Sequence, residues 1–153
     1  MRHINRIILH CSATREGRDY SVDTIRGWHM RKGWRDIGYH YIVQRNGNIE
    51  TGRPVEQQGA HSSKQNRGSI GICYIGGVEE KRGKNGKWIA KDTRTEEQKS
   101  SLHYFLCDLM EKYPDATLHG HNEFARKACP SFDVQEEYKD LIEYYARQRK
   151  EEN

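Results

Sequence analysis

Arg6-Ile7-Ile8-Leu9-His10-Cys11-Ser12-Ala13-Thr14 is the stretch on which the reading of the fold turns. Its apolar run is mostly β-branched and empties into small polar residues, the pattern of a buried strand passing into a loop. His10 then stands at the end of that strand. Downstream, Ser21 can cap a helix with Val22, Ile25 and Trp28 facing inward, and Gly33 is suited to stop it. Tyr39 to Val43 is aromatic and β-branched. Asn46-Gly47 is expected to supply the positive φ angles of a tight turn before Ile49 and Thr51, which makes a hairpin.

Ser69 to Ile75 reads as another apolar strand, with Gly71 inside it where a missing side chain lets a neighbour pack closely. Residues 79–94 are charged and glycine-containing, interrupted only by Trp88 and Ile89, so a long surface loop serving as a flap is expected. Thr95 and Gln98 make a capping box for a helix that repeats Leu102, Phe105, Leu106, Leu109, Met110 and Tyr113 at helical spacing until Pro114. Thr117 to Gly120 suits a short strand. Asp133 with Glu136 caps a last helix carrying Val134, Tyr138, Leu141, Ile142 and Tyr145 inward, with fraying expected beyond Gln148. The order is β, α, β-hairpin, β, α, β, α. That predicts an α/β fold: one domain over residues 1–153, a central mixed β-sheet and about three flanking α-helices.

Size and composition agree. A chain of 153 residues can bury one continuous core. The apolar fraction of 34% and mean hydropathy of −1.06 are low, but the apolar residues are grouped periodically, which excludes global disorder. Lys and Arg number 26 against 22 Asp and Glu, a +4 balance that ordinary surface solvation explains as well as affinity for polyanions. The apolar run at Ile7 to Leu9 is too short for a signal-peptide core, so synthesis in the cytoplasm is expected. No stretch nears the roughly 20 apolar residues of a membrane-spanning helix. Four cysteines at 11, 73, 107 and 129 show no paired spacing, and reduced thiols in core packing or metal ligation are expected.

Imidazole and thiolate suit zinc, and His10, His121 and Cys129 all fall at strand ends or in adjoining loops. Three such ligands would leave a fourth position to water, the arrangement of a catalytic rather than a closed structural zinc. Spacing alone leaves the set open. The chain holds eight His and four Cys, a lone cysteine is most often a small core residue, and in an extended segment His119 shares a face with His121.

Several ordered motifs narrow the reading. His10 to Thr14 (HCSAT), Gly38 to Tyr41 (GYHY), Ser69 to Gly77 (SIGICYIGG) and His121 to Asp133 (HNEFARKACPSFD) together resemble the phage-lysozyme-like, type 2 N-acetylmuramoyl-L-alanine amidases, relatives of the peptidoglycan recognition proteins. The resemblance runs from about Ile7 to Asp133. It implies one zinc per chain at a groove on one face of the sheet, held by His10, His121 and Cys129. It also implies catalytic roles for Tyr39 and Lys127 and a substrate edge at the Gly59 to Asn66 loop, with His61 and Asn66 as contacts. A Lys ammonium beside the metal can stabilise the oxyanion of amide hydrolysis, whereas a tyrosine hydroxyl, with a pKa of about 10, is an orienter before it is a base. His29 and His40 fall in matching segments but suit structural roles, Cys11 should look away from the metal by strand alternation, and Cys73 and Cys107 read as core.

The implied substrate is peptidoglycan or its muropeptides, and a monomer is expected. Delivery to the wall would follow lysis or dedicated export, and a further regulatory protein partner stays open. The run of basic residues at 81–87 is the main departure from the family pattern. Two other classes compete. A muropeptide-recognition module without hydrolysis is disfavoured by Cys129, a ligand that non-catalytic relatives of the fold have lost. Nucleic-acid binding through the basic surface, suggested by a pI near 8.9, has no motif behind it and is not expected.

Overall fold

The structure, a computed structural model, describes residues 2–152. Its elements in chain order are β1 (Arg6–Cys11), β2 (Thr14–Arg15), α1 (Val22–Arg31), β3 (Tyr41–Val43), β4 (Ile49–Thr51), β5 (Ser69–Tyr74), β6 (Gly77–Val78), α2 (Glu96–Lys112), β7 (Thr117–Gly120), α3 (Val134–Glu137) and α4 (Lys139–Glu152). Five strands form a mixed sheet in the order β4-β3-β5-β1-β7, in which only the β3–β4 pair is antiparallel. β2 and β6 pair separately. No helix among the described residues is long and apolar enough to cross a membrane.

Strand alternation divides the sheet into two unlike faces. Ile7, Leu9 and Cys11 of β1 join Ile70, Ile72 and Tyr74 of β5 against Leu102, Leu106, Leu109 and Met110 of α2 and Tyr145 of α4. This is the larger core, where each fully buried Leu or Ile contributes about 1.5–3 kcal/mol. The opposite face carries Ile8 and His10 of β1, in register with Gly71 and Cys73 of β5. A smaller apolar cluster covers part of it: Val22 and Ile25 of α1 with Ile37, Ile42 and Ile75. The rest is polar.

Local signals place the helices. Ser21 Oγ accepts from Thr24 N at 3.1 Å at the start of α1, and the Thr95–Gln98 capping box opens α2. Asp133 Oδ1 caps α3 by accepting from Glu136 N at 3.2 Å. Four expectations need correction. In the hairpin only Gly47 has positive φ (+90°), because the connection is a five-residue loop, 44–48, in which Gln44 N donates to Asn48 O. The last helix is broken at Tyr138 (φ −110°, ψ 23°), whose hydroxyl is drawn inward to accept from Arg94 at 2.8 Å. Helix α4 is still helical from Arg149 to Glu152, where fraying was expected. Finally, residues 79–94 are not a plain loop: Val78 bridges Ala90, Glu79 N donates to Ile89 O and Gly83 N to Lys87 O, so the segment folds back as a hairpin.

That hairpin is anchored by Arg94, whose side chain is 1% exposed, pairs with Asp92 at 2.8 Å and Glu137 at 3.2 Å, and lies 3.8 Å over the Phe132 ring. Replacing Arg94 with Met keeps the apolar stem and removes the charge. Both carboxylates are partly exposed and can rehydrate, so the expected cost is about 2 kcal/mol, below the 3–5 kcal/mol typical of a fully buried orphaned charge. Urea unfolding of Arg94→Met should show that loss; an unchanged midpoint would contradict the anchoring role.

Candidate metal centre

The parallel strands deliver their carboxyl ends to one edge of the sheet, where open α/β folds place their ligands. His10 is the penultimate residue of β1. His121 follows β7 directly and opens a 3-10 turn, His121–Glu123, while Cys129 arrives on the loop before α3. One ligand atom from each of these three residues falls within 4.8 Å of the others. His10 Nδ1 lies 3.7 Å from Cys129 Sγ. A tetrahedral zinc with Zn–N near 2.0 Å and Zn–S near 2.3 Å needs ligand atoms about 3.3–3.6 Å apart, so the His10–Cys129 pair already sits near ligand spacing and the wider separations would close onto an ion.

The electrostatics fit a cation. Burial, then the neighbouring His61, His121 and Lys127, holds the His10 imidazolium pKa well below its ordinary value; burial and Lys127 lower His121 as well. Both rings are therefore neutral, as ligation requires. The Cys129 thiol is pushed up by the Cys11 thiol beside it and by burial, against an opposing hydrogen bond from Cys11 N at 3.2 Å. A thiolate at this position needs a positive charge next to it.

The His119 alternative is resolved by the turn. β7 ends at Gly120, so the strand alternation that would have aligned His119 with His121 stops there. His119 instead sits between Thr117 Oγ1 at 2.7 Å and Glu123 Oε1 at 2.9 Å, and Glu123 folds back to accept from Gly120 N. Cys11 faces away from His10, toward Gly77 and Ser131, but its thiol lies against that of Cys129, so it is not turned away from the candidate site as strand alternation suggests. Cys73 is fully buried, while Cys107 is only partly so. His29 and His40 spend Nδ1 on backbone: they accept from Gly38 N at 2.9 Å and Gly71 N at 3.0 Å respectively.

Tyr39 packs its ring 5.2 Å from that of His10. Burial, with the thiols of Cys73, Cys129 and Cys11 nearby, raises its phenol well above the usual range, so it stays protonated and can donate but not act as a base near neutrality. Lys127 is exposed and lines a groove of about 380 Å³ together with His121, His61, Asn66, Trp34 and Phe124. His61 is 7% exposed, with Nδ1 2.8 Å from His10 Nε2, and Asn66 Oδ1 accepts from the backbone N–H groups of His61 and Ser62. Both residues therefore bound the groove with polar atoms that are largely engaged in holding the loop. Trp34 and Phe124 are groove walls that the sequence did not single out; both lie outside regular helices and strands, where no periodicity marks them.

Against this geometry, the family described as N-acetylmuramoyl-L-alanine amidase matches residues 1–132. The endolysin of Escherichia phage T7 is 44% identical over 128 residues, covering 84% of this chain and 81% of the endolysin. Peptidoglycan-recognition protein SC1a of Drosophila melanogaster is 27% identical over 141 residues, 86% of this chain and 70% of that protein. Among solved structures, the N-acetylmuramoyl-L-alanine amidase LysC from Clostridium intestinale URNW superposes with a TM-score of 0.75 at 26% identity, over 93% of this chain and 87% of that one.

Two buried histidines outside the His10–His121–Cys129 group bear on how stability depends on pH. Burial, more than any neighbouring charge, holds His29 and His40 at about 4, against 6.5 when unfolded. Between these values the unfolded chain binds protons that the folded chain refuses, so stability is complete above pH 6.5 and falls as pH drops toward about 4. Urea unfolding of metal-free protein should weaken from pH 7 to 4.5, and His29→Asn, which keeps an acceptor for Gly38 N but cannot titrate, should weaken less. Identical pH responses would contradict the assignment.

Proposed function

The chain belongs to the N-acetylmuramoyl-L-alanine amidase family, and from that membership we propose a zinc-dependent enzyme that acts on bacterial peptidoglycan in the manner of an endolysin, cutting the amide bond between N-acetylmuramic acid and L-alanine. The observation that carries the metal part is the convergence of His10, His121 and Cys129 within 4.8 Å at the end of a groove lined by Lys127. Two neutral imidazoles and one thiolate leave a zinc site with a net charge near +1. A zinc ion bound there would supply Lewis acidity toward the amide carbonyl and lower the pKa of water, bringing hydrolysis into reach near neutral pH.

The chain's own groups do the rest. The groove bounded by His61, Asn66, Trp34 and Phe124 holds the sugar and the first residues of the stem peptide, with the scissile carbonyl toward His121 and Lys127. As water adds to the carbonyl carbon, negative charge develops on the carbonyl oxygen, and the Lys127 ammonium stabilises it. Tyr39, kept protonated by burial, donates a hydrogen bond that orients the attacking oxygen or the tetrahedral intermediate. The C–N bond then breaks, the muramic acid side keeps the water oxygen as a carboxylate, and the alanine nitrogen leaves as an ammonium carrying both protons of the water. The reading needs a single chain, one metal and no nucleic acid, with the cell wall as the place of action.

Three measurements test it. Metal analysis should find one zinc per chain, and Cys129→Ser should lose both zinc and wall hydrolysis while keeping the folded circular-dichroism spectrum, as expected of a catalytic rather than a fold-forming metal. Chelation should abolish digestion of purified wall, and zinc should restore it. Lys127→Ala should retain zinc and lose about 10²–10³-fold in kcat, the scale of one oxyanion donor, with Tyr39→Phe losing less. Unimpaired digestion after complete zinc removal would overturn the proposal.

A further inference from the structure

Behind the metal-facing edge of His10 runs a line of hydrogen bonds whose direction the chemistry fixes. His10 turns Nδ1 toward Cys129 Sγ, 3.7 Å away, so Nδ1 is the nitrogen on the ligand side. An imidazole that offers its Nδ1 lone pair carries its proton on Nε2. Nε2 is 2.8 Å from His61 Nδ1, which must accept, so the His61 proton lies on Nε2, 3.1 Å from Ser69 Oγ. Ser69 Oγ in turn donates to the Asn66 carbonyl at 3.2 Å. His61 and Ser69 each take one proton and give one, His10 gives one while keeping Nδ1 for the metal, and the line ends on a carbonyl that only accepts.

The fold is shaped around this line. Ser69 and Gly71 share a face of β5 with Cys73, which is paired in register with His10 on β1. The His61 ring lies over Gly71 so closely that a Cβ there would come within 2.5 Å of His61 Cγ. Asn66 Oδ1 fixes the backbone of His61 and Ser62 from the other side, at 2.9 Å to each N–H. His61 is 7% exposed and both its nitrogens have partners inside the protein, leaving none for a sugar.

We infer that His61 is a positioning residue for metal binding, holding His10 in the Nε2–H tautomer and at the ring angle that presents Nδ1 to the zinc. This rests on the zinc reading above and adds to it the support on which the deepest ligand depends. Partners of this kind typically account for about 10–100-fold in metal affinity.

The test compares zinc dissociation constants, by chelator competition, for wild type, His61→Phe and His61→Asn. His61→Phe keeps a ring over Gly71 but removes the acceptor, and its Kd should weaken by about 10–100-fold. His61→Asn restores an acceptor close to the position of Nδ1 and should recover most of that loss, which a purely space-filling role would not predict. Nitrogen-15 NMR of zinc-loaded wild type should show His10 protonated at Nε2, with scalar coupling across the hydrogen bond to His61 Nδ1; this holds the inference to account even where a variant fails to fold. A wild type that binds zinc while His61→Phe binds it equally well, or a His10 protonated at Nδ1 in the loaded protein, overturns the inference alone. A wild type that binds no zinc overturns the zinc reading and this inference together.

Discussion

Parallel pairing of β1 with β5 on one side and β7 on the other is the constraint from which the rest follows. Because the three strands run the same way, their carboxyl ends open at one edge, and residues distant in sequence meet there without further instruction. His10 comes from the first strand, His121 from just beyond the last, and Cys129 from the loop that the last strand feeds. The same pairing requires the pleat to send alternate residues of β1 to opposite sides. A one-residue slip of β1 would put His10 into the hydrocarbon layer under α2 and lift Leu9 into the site.

The two sides of the sheet are held by different physics. Under α2 and α4 the contacts are aliphatic and aromatic, dense and non-directional. On the other side, beyond the small cluster under α1, the chain from Gly52 to Gly68 has no strand or helix and is secured by buried polar groups. Arg53 donates to Ile37 O and Gln58 O, Arg2 to Val55 O, and His40 is fixed between Gly71 N and Gln57 O. Directional bonds define positions more sharply than apolar contact, which suits the side that carries the His10–His121–Cys129 group.

What could be read from the sequence was what depends on near neighbours. The caps at Ser21, Thr95 and Asp133, the apolar repeat of α2 and the run of β1 are written within a few residues, and each appears where expected. The break at Tyr138 carries no local signal, and the side chain that its hydroxyl meets, Arg94, lies 44 residues earlier in the chain. The fold-back of residues 79–94 was likewise masked by a composition that suits a loop. For the site, spacing alone could not separate His121 from His119, since the answer depends on where β7 stops and the turn begins. Motif resemblance pointed to His10, His121 and Cys129 as ligands and placed His61 at the substrate edge, whereas the bond of His61 to His10 spans 51 residues of sequence and emerges only from three-dimensional packing.

The indole of Trp34 forms part of the groove wall, 4.7 Å from the His29 ring, whereas Trp28 packs against Tyr20 and Trp88 lies on the outer hairpin beneath Arg82. The chain has three tryptophans, so just one of them adjoins the groove beside His121 and Lys127. Nature has thereby fitted the cleft with its own optical reporter. Once the two remote indoles are exchanged for phenylalanine, tryptophan emission excited where tyrosine does not absorb comes from the cleft alone, and occupancy becomes visible as light without any label attached to the occupant.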